Sequence, residues 1–239
     1  MQDSYRKQIQ PLDADAMRAA KGHWDAIAKP LHSLGRLEDM VVQLAGITGS
    51  AAIAPRKKAV LIFCADNGIV EEGVTQTSQA VTAAVTRNFT KGIASVNALS
   101  RVCGADVFPV DIGVTEPLNC PGVIDCKIAP GTKNFAKEPA MTREQAERAI
   151  SAGIALVQEK AAAGYNLIIT GEMGIGNTTT SSAVFSALYH LPPEEVTGRG
   201  AGLSHAGVQH KIRVIRQALE LHQPDADDVL DILSKVGGF

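Results

Sequence analysis

Aromatic side chains are scarce in this 239-residue chain, at 4% of its residues. So few rings leave little material for the base-stacking platforms of single-strand nucleic-acid binders. An excess of one charge is missing too: 23 basic and 25 acidic side chains give a formal net charge of −2. So weak a field excludes general electrostatic attraction to nucleic acid or to an anionic membrane surface. No run approaches the ~20 apolar residues that a bilayer span needs. The opening MQDSYRKQIQPLDADAM holds no apolar stretch and does not read as a secretory signal. The four cysteines, Cys64, Cys103, Cys120 and Cys126, form no CxxC pair. They read as reduced thiols of a cytoplasmic protein rather than as a disulfide frame. Six histidines (His23, His32, His190, His205, His210, His222) show no HExxH or other metal spacing, so no metal site is expected. There is no nucleophile elbow and no candidate triad.

What is present is ample core material: 45% of the residues are apolar and 20% charged. That balance belongs to a folded chain, and the length suits one large domain with a small appendage. Residues 13–28 and 36–47 read as helices, with Asp13 or Asp15 as the first cap and Leu37, Met40, Val41 and Leu44 at helical spacing. The pattern then changes. KAVLIFCA (58–65) and NLIIT (166–170) are short apolar runs of the kind that form buried parallel strands. ADVFPVDIG (105–113) is a further strand weakened by Pro109, and 123–128 is another. Helices are expected at 78–91, 94–102, 142–163 (opened by a Thr142/Gln145 capping box), 181–188, 204–222 and 225–236. Strands alternating with helices predict an α/β fold: a Rossmann-like parallel sheet flanked by helices, with a small helical N-terminal subdomain. The expected division is 1–54 for the helical part and 55–239 for the nucleotide-binding part. Ligands of such sheets bind beyond the carboxyl ends of the strands, here near 66–73, 113 onward and 171–180.

The last of these segments, GEMGIGNTTT, carries most information. Glycines between a strand and a helix let the backbone approach a ligand, and the helix start favours an anion such as phosphate. Gly171, Gly176 and Thr178 nearly reproduce a Walker A spacing, but Asn177 replaces its lysine, which speaks against an NTPase. A tight turn without ligand is the alternative. Gly198-Arg199-Gly200-Ala201-Gly202 is a second glycine-rich loop before a helix, equally readable as a connector. Arg199 and Lys211 are candidate cations for an anionic ligand, although a lone lysine on a helix ordinarily faces water. Glu172, inside the glycine-rich turn, and Asp66, at a strand end, suit either sugar recognition or loop structure. Glu71 and Glu72 read as a solvated pair.

ADNGIVEEGVT (65–75), GADVFPVDIGV (104–114), GTKNFAKEPAMTREQA (131–146), GEMGIGNTTT (171–180) and TGRGAGLSHAGVQHKI (197–212) together resemble the nicotinate-nucleotide–dimethylbenzimidazole phosphoribosyltransferase family. The resemblance implies transfer of a 5-phosphoribosyl group from nicotinate mononucleotide to 5,6-dimethylbenzimidazole or a similar base. The products would be nicotinate and α-ribazole 5′-phosphate, for the lower ligand of cobalamin. It implies a homodimer with no metal or organic cofactor. Gly174, Gly176, Asn177, Thr178, Thr179, Gly200 and Lys211 would hold the phosphate. Glu172 would lie near the ribose, in a supporting catalytic role. Asp66, Asn67 and Ser78 would line the base pocket.

Two departures qualify it. The family's general base is a glutamate in a glycine-rich stretch near its C-terminus, and no counterpart precedes Phe239. The nucleotide-binding part is thus expected to be incomplete and the chain alone nearly inactive, or a non-catalytic relative. In Lys29-Pro30-Leu31-His32-Ser33-Leu34-Gly35-Arg36-Leu37-Glu38, Leu31 and His32 stand where the family has Pro and Gly.

Overall fold

A computed structural model describes residues 9–239 of the chain, so the opening eight residues of the start segment lie outside the described residues. The chain divides into two compact units, one ending at Arg56 and one spanning Lys57–Phe239.

The first unit is a helix pair, α1 (Ala14–Ala26) and α2 (Arg36–Thr48). Asp13 caps α1, its Oδ1 accepting from the N–H groups of Asp15 and Ala16 at 2.9 Å. Small residues bring the helices together: Ala16, Ala20 and Ala45 are buried, with Val42 and Ile53 against them. The stripe expected on α2 is not its buried face, since Leu37 and Met40 stay about half exposed. Between the helices, Lys29 Nζ pairs with Glu38 at 2.8 Å, and Glu38 also accepts from Leu34 N–H at 3.1 Å. The Lys29 bond holds the Glu38 carboxyl below its usual pKa. His32 sits at φ 59°, the left-handed region that glycine enters without strain. The loop therefore keeps a glycine-type backbone on a histidine. Replacing His32 with Gly removes about 1–2 kcal/mol of steric strain and adds about 0.5–1 kcal/mol of chain entropy cost. A small net gain, on the order of 0.5 kcal/mol, is expected in urea unfolding.

The second unit is built on a four-stranded, wholly parallel sheet of order β3-β2-β1-β4. Its strands are β1 (Lys58–Ala65), β2 (Ala105–Gly113), β3 (Ile124–Asp125) and β4 (Leu167–Met173). Successive β1 side chains point to opposite faces. Val60, Ile62 and Cys64 pack with Ala83 and Phe89 of α3 (Ala80–Thr90), and α4 (Ser95–Cys103) follows. Leu61 and Phe63 pack on the other face with Leu156 of α5 (Arg143–Ala162), whose Thr142/Gln145 capping box forms as the sequence predicts. The chain ends in α6 (Asn177–Tyr189), the short α7 (Pro193–Val196), α8 (His205–His222) and α9 (Val229–Val236). Ile69, Val74, Phe135, Ala183, Ile215 and Ile232 knit α6, α8 and α9 to the loops beyond the strand ends.

Four expectations are corrected. NLIIT is not a buried central strand. Its strand β4 is the sheet edge among the described residues, leaving Ile169 38% exposed, and it runs on through Gly171, Glu172 and Met173. Glu172 therefore belongs to a strand end, paired opposite Phe63, and not to a turn. The strand expected at 123–128 shrinks to Ile124–Asp125, although Cys126 and Ile128 still donate to the Asp111 and Ile112 carbonyls. Ile112 is an extra residue in β2, so the regular ladder cannot continue there. Pro109 does not break β2. It presents its nitrogen to the same side as the Asp111 carbonyl, two residues on, where β3 does not reach.

Candidate functional site

The loops after β1 and β4 and the start of α6 meet at the carboxyl end of the sheet. A cavity of about 200 Å³ lies there, lined by Gln76, Gly174, Gly176, Asn177, Gly200 and Lys211, with Thr178 among them. Gly174 must be glycine: a Cβ would lie 2.4 Å from the Ala65 carbonyl oxygen and 2.6 Å from Glu172 Oε1. Gly176, at φ 97°, turns the chain into α6, whose start has no side-chain cap. An uncapped helix start keeps N–H donors available and presents the positive end of the helix dipole.

Opposite it stands Lys211 of α8. Its residue is wholly buried, and Nζ donates to Thr178 Oγ1 at 2.7 Å. Burial alone lowers its pKa to about 8; among the described residues no carboxylate offsets the desolvation. A buried ammonium without a counter-ion, facing a helix start, is a place for a small anion. Arg199 braces the second glycine loop through Nε to the Leu203 carbonyl at 2.9 Å.

A second cavity of about 360 Å³ adjoins the first, lined by Asn67, Glu172, Asn177, Thr178 and Thr180. The Glu172 residue is exposed on the outer strand, yet enough protein surrounds its carboxyl to raise its pKa to about 7. The Asn177 side-chain amide donates to it and partly opposes that rise. Asn177 thus borders both cavities and ties the carboxyl to the anion cradle.

The remaining sequence candidates lie outside the first cavity. Thr179 turns inward, fully buried, with its Oγ1 unpartnered. Asp66 is buried and acts as a strut: Oδ2 accepts from Thr115 N–H at 2.8 Å, its backbone bonds Gly113 and Thr132, and it lines neither cavity. Ser78 is exposed before α3 and also lines neither. Asn67 is buried and spends its amide on the Ile175 carbonyl. Glu71 and Glu72 are not merely solvated, since both pair with Lys137 and bond Asn134. His210 and His222 bond the Glu72 and Phe135 carbonyls, and no group of three or more His, Cys, Asp or Glu among the described residues could hold a metal. Gln76, whose amide bonds the Gly202 carbonyl across the cavity mouth, was missed by sequence reasoning. So was Thr82 of α3. A glutamine beside a turn carries no pattern that marks it.

A parallel sheet with one glycine loop at the end of β4, a second glycine loop before α8 and a buried cation beside both defines an α/β protein with a place suited to a small anionic group. Comparison with known proteins narrows the class. The family model described as "Phosphoribosyltransferase" matches residues 9–239, and the chain belongs to that family. The nicotinate-nucleotide–dimethylbenzimidazole phosphoribosyltransferase of Acetivibrio thermocellus is 50% identical over 233 residues, covering 98% of this chain and 66% of the relative. The enzyme of that name from Ruminiclostridium cellulolyticum is 49% identical, covering 97% and 66%. The chain thus spans about two thirds of the length of these curated relatives. The crystal structure of CobT from Thermus thermophilus superposes with a TM-score of 0.87 at 37% identity, over 94% of this chain and 67% of that one. Among the described residues no helix is long and apolar enough to cross a membrane.

Proposed function

We propose that this chain binds nicotinate mononucleotide and takes part in transfer of its 5-phosphoribosyl group to 5,6-dimethylbenzimidazole or a similar base. The observation that carries the reading is Lys211, buried without a counter-ion and aimed at Thr178 beside an uncapped helix start. A single phosphate fits that place, whereas the Walker lysine that a triphosphate would require is absent. Gly174, Gly176, Asn177, Thr178 and Gly200 complete the cradle, and Thr179 supports it from behind. The names carried by the relatives agree with this chemistry.

In the transfer, a ring nitrogen of the incoming base attacks C1′ as the C1′–N bond to nicotinate breaks. Nicotinate leaves with the electron pair, C1′ inverts, and the new base gives up its N–H proton. Positive charge develops on the ribose, and the Glu172 carboxylate, tied to the cradle through Asn177, is placed to stabilise it. Asn67, which lines the second cavity with Glu172, would meet the base, while Asp66 braces the loops behind it and Ser78 lies outside both cavities. Holding phosphate and ring apart fixes the reacting carbon between them. The same reading has the protein work in the cytoplasm as a homodimer without metal or organic cofactor; its free cysteines suit a reducing compartment.

Calorimetry tests the site. Nicotinate mononucleotide is expected to bind at least tenfold tighter than nicotinate riboside, which lacks the phosphate; equal affinities would remove the phosphate cradle from the reading. Transfer is read from the product's anomeric configuration: an α-riboside is expected, and a β-riboside would sink the in-line mechanism.

A further inference from the structure

The two peptide groups that flank Ile175 in the glycine loop are each gripped by a side chain. Thr82, in the first turn of α3, accepts the Ile175 N–H on its Oγ1 at 3.1 Å. Asn67, just past β1, donates from Nδ2 to the Ile175 carbonyl at 3.1 Å. Both gripping residues are buried, Thr82 completely. They are themselves fixed: Thr86 Oγ1 donates to the Thr82 carbonyl at 2.7 Å, and Gln79 Nε2 to the Asn67 carbonyl at 2.9 Å. Peptide planarity gives the grip its consequence. The Ile175 carbonyl shares a trans peptide with the Gly176 N–H, so holding one points the other the opposite way. The Ile175 N–H shares its plane with the Gly174 carbonyl, which accepts Asn177 N–H at 3.0 Å. Two side chains from distant segments thereby set the directions of the groups at the cradle's rim. Without them, a loop containing Gly174 and Gly176 has many accessible conformations and must be ordered by the ligand itself.

We propose that Thr82 and Asn67 are positioning residues that preorganise the Gly174–Asn177 loop for phosphate, Thr82 acting only through the Ile175 peptide. The proposal rests on the phosphate reading of the cradle, and the test separates the two. In the full chain, Thr82→Val keeps the side-chain shape but removes the acceptor, while Thr82→Ser keeps the acceptor. Titrations use nicotinate mononucleotide and, separately, 5,6-dimethylbenzimidazole. Thr82→Val is expected to raise the nucleotide Kd about tenfold. It should move the Kd of the free base less than twofold, and Thr82→Ser should restore nucleotide binding to within about threefold of wild type. Equal losses for both ligands would mean a general packing defect and overturn the proposal, as would an unchanged nucleotide Kd or a Thr82→Ser variant as weak as Thr82→Val. Should Thr82→Val not fold, hydrogen exchange of the wild-type chain decides: the Ile175 amide is expected to be protected to the level of α6, and fast exchange there would overturn the grip. Failure of wild-type chain to bind the nucleotide would instead strike the phosphate reading, while protection of Ile175 would still report the grip.

Discussion

Lys211→Met is expected to abolish most nucleotide affinity while making the free protein more stable. The ammonium is wholly buried and its pKa is lowered to about 8 by burial. Charge-assisted bonds of this kind contribute about 1.5–3 kcal/mol, so the nucleotide Kd should rise about 10- to 100-fold. The stability change has the opposite sign because a buried charge without a counter-ion is a penalty to folding that the Thr178 bond does not offset. In the unfolded chain the lysine titrates near ~10.4, so the unfolded state binds more protons between about pH 8 and that value. Stability of the wild type therefore rises with pH across this window, as the folded lysine becomes neutral first. At pH 7 the methionine variant should be more stable by on the order of 2–3 kcal/mol, and the gap should close by about pH 10. Ligand binding runs the other way. Above pH 8 the free lysine must take up a proton to hold phosphate, so the wild-type Kd should climb with pH and that of Lys211→Met should not. Urea unfolding at several pH values, together with calorimetry, reads both. A variant that loses stability at pH 7 would show that the Thr178 bond and the packing of Lys211 outweigh its desolvation.

Gly174→Ala is expected to damage fold and site together. Its Cβ would fall 2.4 Å from the Ala65 carbonyl, 2.6 Å from Glu172 Oε1 and 2.9 Å from Asn67 Nδ2. The first of these is backbone at the end of a central strand, which cannot move aside without disturbing its pairing with β2 and β4. Overpacking of this sort costs about 1–3 kcal/mol. The loop is the part most able to yield, so it should shift away from β1 and carry the Ile175 peptide out of reach of Asn67 and Thr82. Loss of more than tenfold in nucleotide affinity should accompany the drop in stability. Wild-type affinity in this variant would show that the cradle does not depend on close approach of the loop to β1.

The strand–helix alternation was legible because apolar runs and capping residues are local signals. Asp13 and the Thr142/Gln145 pair cap their helices as the sequence predicts. NLIIT misled because an apolar run reports side-chain character and not the number of neighbouring strands. Whether β4 lies inside the sheet or at its edge is a matter of pairing order. The glycine loop was legible because backbone approach and a positive φ demand glycine there. Thr82 was not, because its role is a bond to a peptide 93 positions away. Asp66 stayed open for a related reason, since a carboxylate at a strand end looks the same whether it faces a ligand or ties two loops together.

By itself the sequence determined the class of fold, the two glycine loops and the phosphoribosyltransferase kinship, all of which are written in local pattern or ordered motifs. Only the tertiary structure decided that Lys211 is a buried, unpaired cation, and that Glu172 ends an edge strand with a raised pKa. It also decided that Asn67 and Thr82 grip the two peptide groups that flank Ile175. Burial and hydrogen-bond partnership are properties of what the chain brings together from far apart, and the desolvation that sets a charge's energy does not exist until the fold closes around it.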